Sequence, residues 1–140
     1  MSRPLIQASV EGANSPVAGE AHSGKGHTAL GLFVVAQGLD TANDTLDVRL
    51  EMEGPKGEWS PVRDKDGTVV GTLNVSDFTD IDGDGTTYNA MLYVHNVPAP
   101  RIRANITSLT DSSGSDLSVD AYVLAANNTG AGSQYLSGKI

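Results

Sequence analysis

A two-residue rhythm near the C-terminus constrains this chain more than any other feature. In Arg101 to Leu109 (RIRANITSL), Ile102, Ala104 and Ile106 alternate with Arg101, Arg103, Asn105 and Thr107. In Leu117 to Leu124 (LSVDAYVL), Leu117, Val119, Ala121 and Val123 alternate with Ser118, Asp120, Tyr122 and Leu124. Period two sends one set of side chains to a buried sheet face and the other to solvent or a neighbour. The linker between them, TDSSGSD, has the turn chemistry of an antiparallel hairpin.

The same rhythm recurs upstream. Thr45 to Glu53 (TLDVRLEME) points Leu46, Val48, Leu50 and Met52 inward and Asp47, Arg49, Glu51 and Glu53 outward. Ala29 to Ala36 (ALGLFVVA) is a nearly continuous apolar run, which predicts a strand buried on both faces. Shorter strands are expected at Pro4 to Val10, Trp59 to Arg63, Thr68 to Val75 and Tyr88 to Val97, with Trp59 as a core or interface plug. Gly38 to Asp44, Gly54 to Gly57 and Asp64 to Gly67 read as turns, Asp77 to Thr87 as an acidic loop, and Pro98 to Pro100 as a stiff corner. No stretch has helical spacing. Seven or eight short strands joined by Gly, Asp and Pro turns predict an all-β fold: a two-sheet antiparallel β-sandwich, jelly-roll or immunoglobulin-like, with a closed barrel as the fallback.

The 140 residues suit a single domain, 1–140, with one core. Its ends are polar and Gly-rich: an extended N-terminal arm over about residues 1–28 and a tail over about 125–140. Such segments fray in an isolated monomer, so they are expected to order in contacts with neighbouring copies.

Charge and composition remove several function classes. Twelve Asp and five Glu outweigh four Lys and five Arg, giving a formal net charge of −8 at pH 7. Nucleic acid is a poor partner for such a chain, because phosphate binding needs clustered cations and these nine are spread along the sequence. Acid excess with few lysines suits concentrated salt, where a Debye length of roughly 3 Å at about 1 M stops carboxylate repulsion from opposing compactness. Solubility is the plainer cause of the same bias. Without cysteine there are no disulfides, thiolate zinc sites or thiol nucleophiles. No secretory leader or membrane-spanning run is legible, so the expectation is synthesis in a host cytoplasm and no membrane partner.

One motif points to a metal. Asp80 to Gly85 (DIDGDG) sets carboxylates at Asp80, Asp82 and Asp84 with glycine in the sixth position, as in the first half of a calcium loop. The twelfth position is Met91 instead of a bidentate Glu, so a further ligand would come from Asp77 or a neighbouring subunit. Ca2+ is thus the candidate cofactor, against the plainer reading of a hydrated acidic turn. Gly19 to Gly26 (GEAHSGKG) superficially follows a phosphate-binding loop, but it leads into a strand where that motif needs a helix. The three histidines, His22, His27 and His95, stand in no nucleophile–base spacing, and no catalytic residue is expected. Four Asn-X-Ser/Thr triplets occur, at Asn43, Asn74, Asn105 and Asn127. Tyr88, Tyr93, Tyr122 and Tyr135 are the candidates for stacking on a sugar in an alternative reading, a carbohydrate- or receptor-binding module.

The order of an alternating acidic strand (TLDVRLEME), a short segment with one Trp (EWSPV), an Asp/Gly loop, and then RIRANITS and LSVDAYVLA resembles small β-sandwich structural proteins of tailed viruses. The resemblance covers roughly residues 29 to 125 and is to head-decoration or turret proteins and related tail proteins, with a haloarchaeal virus as the natural acidic variant. It implies a non-enzymatic virion component that forms homo-oligomers and binds other capsid or tail proteins.

Overall fold

A computed structural model describes residues 5–27, 29–95 and 100–126. Two antiparallel sheets face each other. The first is built from β1 (Leu5–Ala13), β4 (Ala29–Gln37), β8 (Thr79–Asp80), β9 (Thr87–His95) and β11 (Ser118–Ala126), in the order β1-β11-β4-β9-β8. The second centres on β5 (Thr45–Glu53) and β10 (Arg101–Thr110). Along its free edge β10 carries β2 (Val17–Ala18) and β3 (His22–Ser23), while β5 carries β6 (Trp59–Pro61) and β7 (Thr72–Asn74). Each edge of the second sheet is therefore a broken strand. The expected β-sandwich is what forms, with eleven strand segments among the described residues in place of seven or eight.

Alternation explains the core. Leu30, Leu32, Val34 and Ala36 from β4 meet Leu46, Val48 and Leu50 from β5, with Ile102, Ala104 and Ile106 from β10 and Val119, Ala121 and Val123 from β11. The leucines and isoleucines among them are at most 1% exposed, and burial of each contributes about 2 kcal/mol. A register shift between Ile106 and Ser108 adds a residue to β10, so that Leu109 returns to the inner face.

Two expectations are corrected. β10 and β11 do not form a hairpin: β10 pairs with β5 in one sheet and β11 with β1 and β4 in the other. The linker crosses between the sheets, and carboxylates hold it there. Asp111 accepts the amides of Gly114, Ser115 and Leu117. Buried Asp44, on the neighbouring β4–β5 crossover, accepts those of Ser112 and Ser113. Turn-forming residues can serve a crossover as well as a hairpin, and two inner faces that must meet decide for the crossover. Nor is β4 buried evenly on both faces. Its inward side chains are sealed, while Phe33 and Val35 on the other face are only partly covered.

Of the stretch read as an arm, the described strands β1, β2 and β3 pair with their own domain. β2 and β3 run along β10, with Ala18 opposite Asn105 and His22 opposite Ile102. Where they break, β1 reaches across from the other sheet. Ser9 Oγ accepts the buried Ala104 amide at 2.9 Å and donates to the Glu20 carbonyl at 3.1 Å, and the Glu20 amide donates to the Ser9 carbonyl at 2.8 Å. His22 Nε2 donates to the Ala8 carbonyl at 2.6 Å. Gly19 makes this approach possible: a Cβ there would lie 2.1 Å from Ser9 Oγ and 2.7 Å from the Ala104 carbonyl oxygen. The tail at 127–140 and most of the Pro98–Pro100 corner lie outside the described residues.

Candidate functional site

The two outer faces of the sandwich differ in chemistry. On the second sheet, the outward side chains of TLDVRLEME and RIRANITSL come together, because antiparallel pairing sets Arg103 opposite Glu51 and Asn105 opposite Arg49. β6 adds Trp59 opposite Glu53 and Pro61 opposite Glu51. Residues directly opposite share a face, so period two alone gathers a charged network outside the core.

Glu51 is its hub. It points away from the core and yet is 1% exposed, because its neighbours cover it. Oε1 accepts from Arg103 Nε at 2.9 Å; Oε2 accepts from Asn105 Nδ2 at 3.1 Å and from Arg49 Nη2. Arg103 in turn lies over the Trp59 ring, 4.2 Å from its centroid, a cation–π contact that fixes both groups. Arg101 extends the network to Glu53 at 3.3 Å. Burial pushes the Glu51 carboxyl pKa up, but the hydrogen bonds from Asn105, Arg49 and Arg103 outweigh it, and the group stays below its ordinary value. Arg49 and Arg103 are thus held by Glu51 on one face of an acidic protein, with Arg101 half exposed beside Glu53.

Sequence reasoning counted the cations as scattered, and along the chain they are. The missed signal lies in aligning the two alternating strands, which brings Arg49, Arg101 and Arg103 within one sheet width. Trp59 proves to be part of this outer network. Asn105, one of the Asn-X-Ser/Thr residues, is bound to Glu51; Asn127 lies outside the described residues.

The outer face of the first sheet is apolar across its middle, where Phe33, Met91, Tyr93, Tyr122 and Leu124 share it, and polar towards one end, where Gln37, Thr87, Asn89, Ser118 and Asp120 share it. Phe33 stacks on Tyr122 with ring centroids 6.2 Å apart. Tyr93 lies over Gly31, where a Cβ would come within 2.8 Å of the ring. Ile6 pairs with Leu124 at the rim and is 58% exposed. Of the four candidate sugar-stacking residues, Tyr93 and Tyr122 lie in this face, Tyr88 packs towards the core, and Tyr135 is outside the described residues.

In the DIDGDG loop, backbone amides take up the carboxylates. Asp80 accepts the amides of Asp82, Gly83 and Gly85. Asp84 accepts those of Thr86 and Thr87, which with the Thr86 side chain hold its pKa below the usual carboxylate range. Asp82 is exposed. Among the described residues no three His, Asp or Glu side chains are grouped to hold a metal ion. The arrangement gives Asp80 and Asp84 a direct role in shaping the turn. Among the described residues, no helix is long and apolar enough to cross a membrane.

No protein-family model matches the chain, and no curated protein matches it. Among solved structures, it is similar to the SPBc2 prophage-derived protein YomS, with 15% identity and a TM-score of 0.49 over 89% of this chain and 96% of that one.

Proposed function

We propose that the protein is a structural virion component, of the capsid-decoration or turret kind, that self-associates and binds a capsid lattice. The observation that carries this reading is the pair of unlike outer faces on one rigid sandwich. On the Arg–Glu–Trp face, Arg49, Arg103 and Trp59 are already held by Glu51 and the cation–π contact. Docking a partner there therefore costs little further side-chain entropy. Trp and Arg are also the residue types that dominate binding energy at protein interfaces. A repeated lattice multiplies modest contacts of this kind through avidity. The acidic, Lys-poor composition fits particles that assemble in concentrated salt. Metal binding at Asp80, Asp82 and Asp84 is not needed for this role.

The test is immunogold labelling of purified particles from the host with antibody to this protein. The expected result is label at repeated positions on the particle. Label confined to the soluble fraction of the lysate would contradict the reading.

A further inference from the structure

We infer that the outer face of the first sheet, centred on Phe33 and Tyr122, is the surface on which a second copy of this chain packs, sheet against sheet. The inference rests on the assembly reading above to this extent, that it gives the self-association a surface and a partner.

The face is built from alternate residues of strands whose other side chains form the core. Phe33 and Val35 of β4, Met91 and Tyr93 of β9 and Tyr122 of β11 turn outward, with Ile6 of β1 at the rim. None of these six belongs to the core between the sheets. β4 runs through the middle of the sheet and is apolar on both sides, the pattern of a strand covered by a layer on each face. Among the described residues, the second layer is missing.

Three observations favour another copy over a different partner. The first is charge. The chain carries −8, so copies repel over most of their surface. Here the carboxylate near the middle is Asp120, whose Oδ1 already accepts the Gly12 amide at 2.6 Å. Across the rows of Phe33 and Gly31 two copies can meet with no carboxylate between them. The same overall charge opposes docking on an anionic lipid surface.

The second is size. β1, β4, β9 and β11 have nine residues each. At roughly 4.8 Å between strands and 3.4 Å per residue, they span about 600 Å². Two such faces bury about 1,200 Å², the lower end of stable interfaces. The third is symmetry: a face whose aromatic pair sits on the inner strands β11 and β4 can match itself across a two-fold axis, as in an isologous dimer. Sheet-on-sheet packing at about 30° would then bring Phe33 of one copy near Phe33 of the other.

The measurement is mass by light scattering over a range of micromolar concentrations, in dilute buffer and in molar KCl. Wild type is compared with Val35→Lys, Met91→Lys and, on the opposite face, Trp59→Ala. The wild-type mass should approach twice the 14.5 kDa of one chain. Val35→Lys and Met91→Lys, if folded by circular dichroism, should raise the dissociation constant about tenfold or more, because each buries an unpaired cation. Trp59→Ala should leave the dimer intact. A wild type that stays monomeric in both buffers overturns the inference, whatever the variants do. So does a dimer that persists in folded Val35→Lys and Met91→Lys. A monomer that still labels particles refutes this surface alone; a dimer absent from particles refutes the virion reading alone.

Discussion

Arg103 and Glu51 stand directly opposite each other on β10 and β5, and Arg103 Nε donates to Glu51 Oε1 at 2.9 Å on the solvent side of the sheet. The pair is covered although it lies outside the core, because Arg49, Asn105 and Trp59 close around it. Removing only the acid leaves two guanidinium groups facing each other. Glu51→Ala should therefore destabilise by about 2–3 kcal/mol, less than a fully buried ion pair because both arginines are partly solvated. Glu51→Leu should cost less, since apolar substitution can restore packing. Urea unfolding of the two variants checks both the size and the order.

The acid side of the stability curve follows from the same carboxylate. Glu51 has a folded pKa below the ordinary 4.5, so the unfolded chain takes up its proton first as pH falls. Its contribution is complete above the unfolded value and is lost as pH drops through the folded one. Asp40, Asp84 and Asp111, whose pKa values backbone and side-chain donors also lower, act in the same direction. Stability should be level near neutrality and fall below about pH 4.5. Glu51→Gln should make that fall shallower. An identical acid limb in wild type and variant would show that Glu51 does not titrate as the geometry requires.

Gly19 marks where three segments converge. Gly19→Ala would drive a methyl group into Ser9 Oγ and two carbonyl oxygens, and should cost about 2 kcal/mol or more through overpacking. Ser9→Ala leaves the buried Ala104 amide without its acceptor, at about 1–3 kcal/mol. Amide hydrogen exchange should show both variants releasing residues 17–23 from β10 well before the core opens.

The acidic surface makes a separate prediction. If carboxylate repulsion opposes folding, molar KCl should raise the thermal midpoint above its value in dilute buffer. The response should exceed that of a chain of similar size with balanced charge. An unchanged midpoint would favour solubility as the cause of the composition.

Much of this was legible in the sequence where one physical signal acted alone. Thr45 to Glu53 alternates without interruption, and β5 has those bounds. The core sets of β10 and β11 follow directly from period two, whereas β4 is apolar at almost every position and its sequence does not mark which side meets the core. The linker from Thr110 to Asp116 misled because Asp, Ser and Gly satisfy turn geometry locally. Which sheet receives the next strand is decided by the two inner faces that must meet, and the crossover is then held by Asp44, 68 residues from Ser112 in sequence. The Glu51 network was hidden for a related reason: its members are ordinary outward residues until register sets the two strands side by side. In the DIDGDG loop, an Asp suited to binding a cation is equally suited to accepting amide hydrogens, and the spacing does not separate the two uses.

The account depends most on two unlike faces serving assembly on a particle. Cryo-electron microscopy of purified particles tests it directly. The predicted result is a two-sheet density in repeated copies, with the β5–β10 face against the shell and β4 faces meeting between copies. Particles whose density contains no such sandwich would contradict it.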